Sequence, residues 1–161
     1  MIINQQMSAN MKTILYLSLI FLISTSFVRN QPKEKHTQKY SIDGTWELVN
    51  RFNYDGENIT DTIPDPDGYR QIKMYNNGKV MWTRFVPQNS VEWFAYGSYS
   101  VSEGNTILRE TLEYGSASMM KVIDTMRVFS FELYLEKDHY KQFTVDEDGN
   151  RIFSENYKRI R

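Results

Sequence analysis

Glycine-containing turns constrain this chain more than any other feature. They recur at Asp55-Gly56, Asn77-Gly78, Glu103-Gly104-Asn105 and Asp148-Gly149-Asn150, and the runs between them are rich in Val, Ile, Thr, Phe, Tyr and Trp. Asn-Gly and Asp-Gly pairs accept the positive φ angles of tight hairpins. β-Branched and aromatic side chains suit a pleated, half-buried surface. The pattern predicts strands over 44–54, 69–76, 79–86, 92–101, 105–114, 124–136, 139–146 and 150–159. No segment sustains a 3.6-residue apolar period, so helix is confined to a turn or two around Ser116 to Val122. Sequential strands with tight connections predict an antiparallel meander. Eight strands are also enough to close a small barrel and remove both edges. The expected fold is therefore all-β, an antiparallel eight-stranded up-and-down barrel over residues 41–161. Its one long connection, Gly56 to Gly68, reads as a lid over a cavity or a disordered excursion, and Pro64 and Pro66 favour the lid.

Ahead of the turns lies an address. Lys12 precedes an apolar run from Ile14 to Ile23, and the small residues Ser24 and Ser26 follow it. A cation, a short apolar core and small residues form the layout of a secretory signal peptide, here assigned to residues 1–30 with Met11 as the alternative start. A membrane-spanning helix needs about 20 apolar residues, so no stable span is expected after cleavage. Residues 31–40 read as a solvated linker. The expected location is secreted or periplasmic, and the absence of cysteine closes the lipoprotein route.

At 161 residues the chain holds one domain. With no cysteine it has no disulfide framework, no Cys-ligated zinc and no thiol chemistry. Two histidines, His36 and His139, are too few for a His-rich metal site, and the acidic turns lack the ligand spacing of calcium loops. A net charge of −1 excludes the basic face of a nucleic-acid binder. No metal, cofactor or nucleic acid is expected, and the oligomeric state is left open.

Gly44-Thr45-Trp46 opens the first strand and Asn156-Tyr157-Lys158-Arg159 closes the last, about 110 residues later. This pairing resembles the lipocalin signature. The stretches Gly97 to Asn105, Glu110 to Tyr114 and Phe153 to Arg159 resemble short, secreted bacterial lipocalin-like domains of mostly unassigned function. The resemblance implies a pared-down lipocalin-like barrel in which Gly44, Trp46 and Arg159 form a structural base, the Arg stacking across the Trp. Two departures accompany it: the second lipocalin motif, an Asp-Tyr pair preceded by Thr, is missing, and no C-terminal helix is expected after Arg159.

Two-residue alternation proposes an interior. Trp93, Ala95, Gly97, Tyr99 and Val101 share one face, as do Phe129, Phe131, Leu133 and Leu135. Arg84 falls with Val80, Trp82 and Val86; Glu110 with Leu108, Leu112 and Tyr114; and Glu155 with Phe153, Tyr157 and Arg159. Burying an unpaired charge costs several kcal/mol, so these charges must meet each other or a ligand. In one arrangement Arg84 grips an anionic head while Trp82, Trp93, Tyr99, Phe129 and Phe131 surround an apolar body, with Glu110 and Glu155 beside them. In the other, Arg84 pairs with Glu110 or Glu155 and plugs the interior. The first makes a non-catalytic binder of a small, largely apolar molecule. The second makes a protein-interaction or cell-envelope module without a small ligand. Glu110 and Glu155 as a hydrolytic pair have no supporting motif, so no enzyme is expected.

Overall fold

The computed structural model describes residues 40–88, 91–102 and 104–161. The expected signal peptide and all of the linker but Tyr40 lie outside the described residues. The elements in order are β1 (Gly44–Asp55), β2 (Asn58–Ile63), β3 (Arg70–Asn76), β4 (Lys79–Phe85), β5 (Trp93–Val101), β6 (Ile107–Gly115), helix α1 (Ala117–Ile123), β7 (Val128–Leu135), β8 (His139–Val145) and β9 (Arg151–Ile160). The strands form one antiparallel sheet of order β2-β1-β3-β4-β5-β6-β7-β8-β9, and β1 pairs additionally with β9.

This is not the eight-stranded up-and-down lipocalin-like barrel expected from the sequence. The sheet has nine strands and begins at β2. The cause is β1, which is 12 residues long and divides one of its edges between two partners. Gly44–Glu47 pair with Ile72–Tyr75 of β3, Arg51–Asp55 pair with Asn58–Ile63 of β2, and the other edge runs along β9. The expected lid is corrected with it. Chain direction reverses at Gly56, whose φ of 60° suits glycine, and the alternating Asn58-Ile59-Thr60-Asp61-Thr62-Ile63 folds back on β1. Pro64 and Pro66 come only after that strand has ended.

Two further expectations shift. The strand expected from residue 124 begins at Val128, because residues 124–126 turn back on α1, the Asp124 N–H donating to the Met120 carbonyl and the Thr125 and Met126 N–H groups to that of Val122. Ser116 caps α1 by accepting from the Met119 N–H at 3.3 Å, and the helix buries Met119 and Ile123. In β6, Leu112 pairs with Gly97 and Tyr114 with Tyr96, which leaves Glu113 as a bulge. An extra residue flips the alternation. Tyr114 therefore leaves the face of Leu108, Glu110 and Leu112, stands 54% exposed and lies 5.2 Å from Tyr96. Gly97 opposite is obligatory, since a Cβ there would sit 2.1 Å from the Thr111 carbonyl oxygen.

One end of the interior is closed by aromatic packing. Trp46 is fully buried, donates from Nε1 to the Ile42 carbonyl at 2.7 Å and meets Tyr140 edge-on at 4.9 Å. Tyr140 in turn stacks on Tyr157 at 4.6 Å. The Arg159 guanidinium lies 4.0 Å over the Trp46 ring and donates to the carbonyls of Asp43 at 2.6 Å, Ser41 at 2.9 Å and Lys137 at 3.0 Å. Gly44, at φ 139°, leaves the space for it: a Cβ there would be 2.1 Å from Arg159 Nη1. Deleting a buried tryptophan removes its transfer free energy and leaves a cavity, so Trp46→Ala should lower unfolding free energy by about 3–5 kcal/mol in urea titration. A loss below about 1 kcal/mol would place Trp46 outside the packed end, in the range of ordinary surface substitutions.

Candidate functional site

The site follows from the phase of β3. Tyr75 pairs with Val80, and both are fully buried. Residues two and four positions back share that face, so Lys73 and Gln71 point inward. Ile72 and Met74 take the outer face, Met74 with 40% exposure.

Lys73 and Glu110 meet inside, only 4% and 2% exposed. Lys73 Nζ donates to Glu110 Oε1 at 3.0 Å and Oε2 at 3.3 Å, and to Gln142 Oε1 at 3.1 Å. The Tyr75 hydroxyl donates to Glu110 Oε1 at 2.5 Å. Gln142 extends the network, its Nε2 donating to Glu155 Oε2 at 2.8 Å. Glu155 also accepts from the Tyr157 hydroxyl at 2.8 Å and from Gln71 Nε2 at 3.1 Å, and Gln71 Oε1 accepts from Tyr69 at 2.7 Å. A polar layer therefore crosses the interior from β6 to the start of β3. Toward Trp46 lies the packed aromatic end; on the other side is a cavity.

The cavity measures about 300 Å³. Its apolar wall includes Trp82, Trp93, Leu112, Met119, Phe129 and Phe131, and its polar floor is the layer of Gln71, Lys73, Glu110, Gln142 and Glu155. Arg84 completes the wall with its guanidinium 4.5 Å over the Trp93 ring. Its Nε is buried with no hydrogen-bond partner. The ion pairs of the described residues engage Arg51, Arg70, Lys73, Lys79, Arg151 and Lys158, and Arg84 is in none of them.

The structure brings Arg84, Trp82, Trp93, Glu110, Phe129, Phe131 and Glu155 to this one cavity. Tyr99 is elsewhere: its hydroxyl donates to Asp43 at 2.6 Å near the Trp46 end. The expected pairing of Arg84 with Glu110 or Glu155 is corrected: Lys73 takes Glu110, and Glu155 is held by Gln71, Gln142 and Tyr157. Sequence reasoning missed Lys73, Gln71 and Gln142. The available signal was the in-phase spacing of Gln71, Lys73 and Tyr75, which the more apolar Ile72 and Met74 masked.

Burial pushes the Tyr75, Tyr140 and Tyr157 phenols well above their ordinary value, and neighbouring negative charge adds to it: Glu110 beside Tyr75, Glu155 beside Tyr157. Tyr99 is pushed up to about 12 by burial and its bond to Asp43, and that bond holds the Asp43 carboxyl below its usual range. Among the described residues no group of three or more His, Asp or Glu converges to hold a metal, and no helix is long and apolar enough to cross a membrane. No family model, curated protein or solved structure matches the chain.

Removing one partner of a buried pair strands the other charge at a cost of about 3–5 kcal/mol. Lys73→Met should therefore destabilise by that amount in urea titration, and adding Glu110→Leu should restore a large share; additive losses would mean the pair is not coupled. The raised tyrosines give a pH dependence of known sign. Their stabilising contribution is complete below the unfolded pKa near 10 and is lost as pH rises toward the folded values, by about 1.4 kcal/mol per pH unit for each phenol. Unfolding free energy should fall steeply between pH 10 and 12, and Tyr157→Phe should make the slope shallower. An unchanged slope would show that Tyr157 does not carry the effect.

Proposed function

We propose that this chain is a non-catalytic binding protein that holds a small, largely apolar molecule with an anionic head in the cavity above the polar layer. The observation that carries this reading is Arg84: a permanent cation with a buried, unpartnered Nε in a wall otherwise built of Trp82, Trp93, Leu112 and Phe129. A buried donor without an acceptor costs about 1–3 kcal/mol, and an anionic ligand would remove that cost. A volume of about 300 Å³ reaches the lower end of small-molecule sites, which are apolar with a few placed polar groups. The cavity favours this reading over an interaction module with a filled interior. Lys12, the Ile14–Ile23 run and Ser24 and Ser26 support export, so the ligand would be met in the periplasm or outside the cell.

Native mass spectrometry of the protein from its own host, purified without detergent, should show an added mass that leaves on denaturation. It should also show loss of the leader. Decanoate, followed through the fluorescence of Trp82 and Trp93, provides a defined probe. A charge-assisted hydrogen bond contributes about 1.5–3 kcal/mol, so Arg84→Met should weaken decanoate binding about tenfold to a hundredfold while the melting temperature holds. A bare mass together with no decanoate response would overturn the proposal.

A further inference from the structure

Among the described residues, Arg84 is not the only charge on the cavity wall that enters no ion pair. The polar layer contains two carboxylates, Glu110 and Glu155, and one lysine, which is committed to Glu110. Glu155 is held by neutral donors alone, the Gln71 and Gln142 amides and the Tyr157 hydroxyl, and takes part in no ion pair among the described residues. Its Oε2 accepts two of these bonds and its Oε1 one, from Gln71 Nε2 at 3.1 Å, so Oε1 keeps acceptor capacity.

The two unpaired charges are neighbours held apart. Gln71 is the register partner of Arg84 on β4, and the same side chain donates to Glu155. Tyr69, whose phenol burial pushes up, is drawn down by Arg51 and then Arg84 and up by Glu155 and Asp65, so Arg84 and Glu155 are among the charges that act on this one hydroxyl. Each is anchored separately. The Trp93 ring holds the guanidinium, and three hydrogen bonds hold the carboxylate.

Resting on the binding function proposed above, we infer that the ligand is amphoteric: its anionic group meets Arg84, a cationic amine meets Glu155 Oε1, and its apolar body lies against Trp82, Trp93 and Phe129. Large apolar α-amino acids have this chemistry. A simple fatty acid would satisfy Arg84 and leave Glu155 without a cation. An amine alone would do the reverse.

Three probes sharing one apolar body separate these cases on the full-length wild-type protein: L-phenylalanine, 3-phenylpropanoate without the ammonium, and 2-phenylethylamine without the carboxylate. By isothermal titration calorimetry, phenylalanine should bind at least tenfold more tightly than either. Glu155→Gln should abolish the preference, bringing phenylalanine down to the affinity of phenylpropanoate. Should that variant fail to fold, the wild-type comparison still decides. Phenylpropanoate binding as tightly as phenylalanine would overturn the amphoteric assignment and leave an anion-head binder. Decanoate binding with no heat from any of the three would do the same. No binding of decanoate or of the three probes, together with a bare mass from the host, would remove the underlying binding function as well.

Discussion

The Lys73–Glu110 pair is the interaction on which the rest of the interior depends. Two charges taken out of water are tolerated only when their remaining donors and acceptors are also met. Tyr75 and Gln142 meet them, which fixes the inward phase of β3 and the position of β8 relative to β6. The pair also determines what is left over. With the lysine committed to Glu110, Glu155 must be satisfied by amides and a phenol, and Arg84 faces the cavity without a carboxylate. The cavity's electrostatics are thus a residue of the pairing beneath it.

Tyrosine makes the transition from that layer to the packed end. Tyr75, Tyr140 and Tyr157 lie with their rings in the aromatic cluster around Trp46. The hydroxyls of Tyr75 and Tyr157 reach Glu110 and Glu155. A phenol offers a large apolar body with one polar tip, so the interior changes from apolar to ionic within the length of a single side chain. Phenylalanine at either position would pack as well and leave a carboxylate short of a donor.

Faces of strands were legible in the sequence; phase against the core and height along a strand were less so. Turn spacing located the hairpins. Alternation then brought Arg84, Trp82, Trp93, Glu110, Phe129, Phe131 and Glu155 to one cavity, because each strand keeps strict two-residue periodicity there. Tyr99 shares a face with Trp93 but lies six residues along β5, roughly 20 Å at strand rise, and periodicity cannot report that separation. Tyr114 was misplaced by the Glu113 bulge, which has no mark in composition. Lys73 was hidden because apolar alternation in β3 points to Ile72 and Met74, and only the tertiary pairing of Tyr75 with Val80 reverses it. β2 was hidden by the two prolines that follow it.

The two ends of the interior are built for different tasks. At the Trp46 end, Arg159 ties three separate carbonyls over a close-packed aromatic stack, so any opening there would break charge-assisted hydrogen bonds and packing together. At the cavity end β2 is the lightly framed element. β2, alongside the part of β1 that pairs with Phe153 and Glu155, is exposed at every position but Ile63, whereas α1 is held by Met119 and Ile123 in a second core cluster with Ala95 and Leu112. Elements with few buried apolar contacts open at low free energy. Local opening is therefore least costly at β2, while the Lys73–Glu110 layer and the aromatic end beneath it keep the register of the sheet. Of the two charges proposed to recognise a ligand, Glu155 is anchored in that layer and Arg84 on the Trp93 ring.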